Sequence, residues 1–199
     1  MDKLEKLFGG QAKLKIMKLF LLNPETVFEP EEIRKRANVN IKSARQVVTL
    51  LSGIGLIKKH VFTQAKKKGG GTKKVNGWML DSTFPYLRPL QELLVYTSAF
   101  TVSDVKKRFI NHGQLKLLIV SGVFIQEWDS RLDLLIVGDS LKRPAIGSAI
   151  KVLESEVGRE LRYSIFNTSD FQYRLTMCDK LIRDVLDYPH QKAVNKLEL

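Results

Sequence analysis

The sequence predicts an α+β fold in two domains, and three observations predict it. At 199 residues the chain is long enough to bury two small cores. Its charge is divided: residues 1–80 hold 17 Lys and Arg against 6 Asp and Glu, whereas residues 81–199 hold 16 against 15. The hydrophobic pattern divides at the same place. Helical spacing and one hairpin fill the basic half, and strand and helix patterns alternate in the neutral half. Domains are expected at 1–82 and 113–199, with linker helices at 83–112 between them. A composition of 44% hydrophobic and 27% charged residues fits a globular protein and excludes a disordered one.

In the basic half, Leu14, Ile16, Met17, Leu19, Phe20 and Leu21 recur at near-helical spacing, and Pro24 ends the run. A second helix begins at Pro30, a residue suited to the first helical position, with Glu31 and Glu32 at the positive end of the dipole. It ends near Asn38. The third run, IKSARQVVTLLSGIG, places Ile41, Ala44, Val48 and Leu51 on one face and Lys42, Arg45, Gln46 and Thr49 on another. The stretch GLIKKHVFTQAKKKGGGTKKVNGWML then reads as two strands around Gly69, Gly70 and Gly71, flanked by Lys66, Lys67, Lys68, Lys73 and Lys74. Asn76-Gly77 is an alternative turn that leaves these lysines on the hairpin. No Gly-Lys-Ser/Thr follows the glycines, so the loop is not a phosphate-binding P-loop.

A short helix pair whose later member presents Arg, Gln, Ser and Thr suits the major groove, and a lysine-rich hairpin suits the phosphates beside it. A solvated basic surface without a partner is the plainer alternative. Residues 11–95, from QAKLKIMKLFLLNPE through NIKSARQVVTLLSGIGLIKKH to NGWMLDSTFPYLRPLQELL, resemble the winged helix-turn-helix of small prokaryotic repressors of the arsenical-repressor type. The resemblance implies that Lys42, Ser43, Arg45, Gln46 and Thr49 face double-stranded DNA and that the protein works as a homodimer on a palindromic site. A dimer also follows physically, because one short helix in one half-site rarely discriminates enough. Lys58 and the five tip lysines complete the expected DNA-binding set.

Between the halves, Leu87, Leu90, Leu94, Tyr96 and Phe100 fall on or near one side of a helical run, which either joins a dimer contact or packs within its own chain. In the neutral half LKLLIVSGVFI, DLLIVG and LRYSIFN read as strands. The helix KRPAIGSAIKVLESEVG carries an inward stripe of Ile146, Ala149, Ile150, Leu153 and Val157. Thr168 or Ser169 is expected to cap a further helix, and DKLIRDVLDYP supplies another that Pro189 stops. The lone Cys178 excludes an intramolecular disulfide and is expected to pack as a small hydrophobe. His60, His112 and His190 have no Cys or His neighbours at ligand spacing, so no metal site is expected.

A strand, a loop and then SRLDLLIVG resemble the minimal, polymerase-beta-like nucleotidyltransferase fold over residues 113–188. In that family a Gly-Ser pair opens the loop and Ser-Asp-Ile-Asp starts the second strand. A third carboxylate stands on a neighbouring strand, and together the acids hold two metal ions. This sequence departs at each point. Arg131 stands where the first ligand belongs, the pair appears as Val120-Ser121 or is inverted as Ser121-Gly122, and Leu161 to Phe166 offer no acid. The resemblance with these departures implies a catalytically inactive domain with no cofactor, in which Asp133 caps its strand or pairs with Arg131. Ser121, Gly122, Arg131 and Asp133 remain the candidate ligand-binding set for a nucleotide or small-molecule effector. The expected protein is thus a DNA-binding transcriptional regulator, not an enzyme, built from an N-terminal winged helix-turn-helix and a C-terminal α/β nucleotidyltransferase-like domain for assembly or sensing. The alternative is an active nucleotidyltransferase that docks a nucleic-acid substrate on the winged helix. A further reading is an RNA-binding or antitoxin-like partner module. The N-terminus lacks a signal pattern and no apolar run can span a bilayer, so a cytoplasmic, nucleoid-associated protein without a membrane partner is expected.

Overall fold

Caps and breakers in the basic half set where its helices start and stop. The structure, a computed structural model, describes residues 3–65, 72–96 and 100–199, apart from the side chains of residues 63–65, 73 and 96. It is a mixed α and β fold that divides into two compact units, residues 1–95 with 152–159 and residues 96–151 with 160–199. The stretch 83–112 is therefore shared between the units.

The first unit begins with helix α1 (Lys3–Leu7) and, past Gly9 and Gly10 at positive φ, helix α2 (Gln11–Leu22). Helix α2 is buried on all sides from Leu14 to Leu21, Lys15 and Lys18 included. A one-faced stripe does not predict that. The Lys18 ammonium donates to the Glu156 carbonyl at 3.4 Å, and Asn23 Nδ2 donates to that of Gly158 at 2.8 Å. Helix α3 (Pro30–Arg36) starts on Pro30, as its sequence requires. Helix α4 (Ile41–Gly53) is capped by Asn40, whose side-chain oxygen accepts the Ser43 N–H at 2.8 Å. Its buried arc is Ala44, Val47, Val48 and Leu51. Ile41, expected inward, is 40% exposed because it sits in the first turn of the helix, beyond the part the core covers, and Val47 completes the arc instead.

The hairpin of β1 (Ile57–Ala65) and β2 (Thr72–Leu80) pairs in one unbroken antiparallel register from Ile57 opposite Leu80 to Ala65 opposite Thr72. Asn76 and Gly77 lie in mid-strand against Val61 and His60, so they are not the turn. Gly77 has a different task. A Cβ there would stand 2.6 Å from Val27 Cγ1 and 2.9 Å from the Phe28 carbonyl oxygen. Without one, Phe28 and Trp78 exchange both backbone hydrogen bonds, at 2.8 and 2.9 Å. Helix α5 (Leu87–Gln91) and a π-helical turn (Glu92–Tyr96) follow, and Leu94 joins the core around Phe20, Phe28, Ile33 and Leu51 while Leu87 and Leu90 pack against it. The side chain of Tyr96, expected on the same side, lies outside the described residues.

The second unit holds helix α6 (Val102–Phe109), β3 (Gln114–Val120), a 3-10 turn (Gly122–Phe124), β4 (Leu134–Asp139), helix α7 (Arg143–Val157), β5 (Tyr163–Phe166), α8 (Thr168–Thr176), α9 (Lys180–Asp187) and β6 (Gln191–Asn195). The last residues of α7 belong to the first unit. The sheet order is β5-β4-β3-β6, with β4 and β5 parallel and the other pairs antiparallel. The central strands β3 and β4 bury nearly every residue, as strands covered on both faces do. On one face Leu117, Ile119, Leu135 and Val137 cluster with Phe171, Ile182 and Val185 from α8 and α9.

Four expectations are corrected here. Strand β3 stops at Val120 rather than running on through Ile125, because Gly122 turns the chain at φ 59°. Helix α8 is capped by Asn167, not by Thr168 or Ser169; its carboxamide oxygen accepts the Asp170 N–H at 2.7 Å. Cys178 is exposed, held at φ 52° in the turn between α8 and α9, where no core reaches it. In the stripe of α7, Ile146, Ile150, Leu153 and Val157 are buried but Ala149 only partly. Strand β6, too short and polar to declare itself, is an addition. Among the described residues no helix is long and apolar enough to cross a membrane.

Candidate nucleic-acid interface

Helix α4 sorts its side chains by the 3.6-residue period. With 44, 47, 48 and 51 turned inward, positions 42, 45, 46 and 49 share the outer arc, and Lys42, Arg45, Gln46 and Thr49 are all exposed. Seven residues of helix span about 10 Å, close to the rise of three base pairs. Ser43 is half-buried, with its backbone N–H committed to the cap.

Charge pairing separates α3 from α4. On α3 the cations are answered locally: Arg34 reaches Glu31 at 2.6 Å and Arg36 reaches Glu32 at 3.1 Å. The Arg34 hydrogen bond holds the Glu31 carboxyl below its ordinary range, so the pair persists as ions. Helix α4 contains no acid, and Lys42 and Arg45 have no ion pair among the described residues. A polar arc with two unanswered cations is chemically suited to an anionic partner.

The hairpin adds exposed Lys58, Lys59, His60 and Lys74. Lys59 was not anticipated, although the alternation of a strand puts neighbours Lys58 and Lys59 on opposite faces and flags both. Lys58 Nζ lies 3.3 Å from Asp81 Oδ1. The Thr83 backbone N–H and hydroxyl, and secondarily Lys58, hold the Asp81 carboxyl below its usual range. Lys58 thus carries a partner that Lys42 and Arg45 do not. Lys66, Lys67 and Lys68 with glycines 69–71, and the side chain of Lys73, lie outside the described residues.

In the second unit the structure brings Ser121, Gly122 and Asp133 together and sets Arg131 apart. Asp133, just before β4, is fully buried. Its Oδ1 accepts the Val123 N–H at 3.0 Å and its Oδ2 accepts the Arg162 N–H at 2.7 Å, with the Arg162 guanidinium Nε at 3.5 Å. The Ser121 hydroxyl donates to the Leu132 carbonyl, and the Ser121 N–H donates to the Asp133 carbonyl at 3.0 Å. Gly122 is required there, because a Cβ would stand 2.0 Å from Asp133 Oδ1. The carboxylate is therefore a clamp that ties the loop after β3 to the starts of β4 and β5. The expected Asp133–Arg131 pair is not formed. Arg131 faces outward and bonds Asp184 of α9 at 3.1 Å, since the inward carboxylate is already met by the Val123 and Arg162 N–H groups. Arg162 and Asp184 were missed, and no local signal could find them, because they stand 29 and 53 residues from their partners. Among the described residues no group of three His, Cys, Asp or Glu side chains could hold a metal ion. No family model, curated protein or solved structure matches the chain.

Proposed function

We propose that the chain is a DNA-binding transcriptional regulator whose first unit is a winged helix. Helix α4 enters the major groove, Lys42, Arg45, Gln46 and Thr49 meet bases and phosphates, and the hairpin lysines lie along the flanking backbone. The observation that carries this reading is the acid-free outer arc of α4, whose Lys42 and Arg45 have no ion pair among the described residues, whereas Arg34 and Arg36 of the neighbouring α3 are each answered by a glutamate. The protein acts as a homodimer on a palindromic duplex, in the cytoplasm at the nucleoid. The second unit is a nucleotidyltransferase-like domain that transfers nothing and serves assembly or sensing. Support comes from the Asp133 carboxylate, engaged by backbone N–H groups where a transferase would hold metal ions.

The test is selection of duplexes from a random pool by the full chain, followed by anisotropy titrations on the winning site. Arg45→Ala is expected to weaken that site by about 1–3 kcal/mol and to relax one base preference. Affinity unchanged by Arg45→Ala would remove α4 from the interface. Lys74→Ala is expected to weaken all sequences alike and to lower the slope of log K against log salt by about one. A slope that stays put would take the hairpin off the DNA.

A further inference from the structure

Helix α4 contributes to a second surface. Past its polar arc, Leu50 is 43% exposed and Ile54, its C-cap, 55%. Large apolar side chains left in water together mark a binding surface more often than an accident. With Leu7, Met17 and Phe84 they line an open groove of about 430 Å³ within the first unit, a size suited to a small organic ligand.

The lining is not wholly apolar, since Tyr86 brings a hydroxyl and Lys13 a charge. Among the described residues that line the groove, Lys13 is the one charged group, and it has no ion pair among the described residues. Its ammonium lies beside the Gly9 turn, 3.6 Å from where a methyl group on Gly9 would stand. The first turn of α2 around it holds no acid and no side-chain cap, so the positive end of that helix adds to the lysine charge. A neutral ligand would leave Lys13 unused, and a cation would be repelled by it. We propose that the groove binds an apolar anion, a carboxylate with an aliphatic or aromatic body, its charge on Lys13 and its body against Leu50 and Ile54. Because α4 carries both surfaces, the ligand is also an effector of DNA binding; that second clause rests on the function proposed above.

The experiment uses the full chain and 8-anilinonaphthalene-1-sulfonate fluorescence, with decanoate, decanol and decyltrimethylammonium as competitors. Decanoate is expected to displace the dye at roughly ten-fold lower concentration than decanol, the size of one partly desolvated charge-assisted contact, and the cation least well. Lys13→Gln removes the advantage of decanoate and leaves decanol unchanged, whereas Ile54→Asp weakens every competitor. Neither side chain is buried, and circular dichroism melts are to check that each variant folds. Equal displacement by decanoate and decanol, or an advantage that survives in Lys13→Gln, overturns the proposal. So does a change of sedimentation coefficient in Ile54→Asp, which would give the groove to a second copy of the chain. In a duplex titration, saturating decanoate is expected to lower affinity about two-fold, through one added negative charge near α4. No such change while decanoate binds through Lys13 overturns the effector clause. Decanoate binding without any duplex binding supports the site and retires the proposed function.

Discussion

Asp133→Ala is expected to lower the stability of the second unit by about 3–5 kcal/mol, the largest effect anticipated for a single side chain in this protein. The substitution removes a carboxylate that accepts from Val123 and Arg162 and leaves those N–H groups facing a void. Asp133→Asn is expected to recover only part of the loss. One of its carboxamide positions presents NH₂ to a backbone N–H, a donor to a donor. Thermal melts followed by circular dichroism measure both. A variant that melts with the wild type would mean the clamp carries no load. The same melts examine the catalytic alternative, since an ion bound to the native state alone must raise its melting temperature. Mg²⁺ is expected to leave the wild-type melt unchanged. A rise that Asp133→Ala abolishes would make Asp133 a metal ligand.

Gly122→Ala is expected to cost nearly as much, about 3–4 kcal/mol, for two reasons that add. The backbone sits at φ 59°, where a side chain carries strain of about 1–2 kcal/mol. The new methyl would also stand 2.0 Å from Asp133 Oδ1 and 3.2 Å from the Asp133 Cα, so the carboxylate must leave its two N–H donors or the loop must move. This makes the two residues one unit energetically. Gly122→Ala in the Asp133→Ala background meets no carboxylate, and its cost should fall toward the backbone strain alone. A double-mutant cycle is therefore expected to show a coupling of more than 1 kcal/mol. Strict additivity would mean that Gly122 is kept for its backbone angle and not for Asp133.

Much of this protein is written in local pattern, and the parts that are not share one physical cause. Helices α2, α3 and α4 follow from apolar spacing, Pro30 and the stop at Pro24, all of which act within one or two turns. The hairpin follows from two strand-like runs on either side of residues 66–71, which lie outside the described residues. The outer arc of α4 follows from counting threes and fours, and on its inner face Ile41 was misjudged and Val47 takes its place. What the letters did not contain was who meets whom. Arg131 and Asp133 are two residues apart and of opposite charge, yet each takes another partner, 53 and 29 residues away. Lys15 and Lys18 are buried on a helix whose sequence would send them to solvent. Gly77, part of an apparent turn, is instead the gap through which Phe28 reaches Trp78. Periodicity, capping and charge are properties of neighbours along the chain, so the sequence determines them unaided. The partners of a buried carboxylate, the close approach at a glycine and the walls of a groove are set by which distant segments pack together, and only the folded chain decides that.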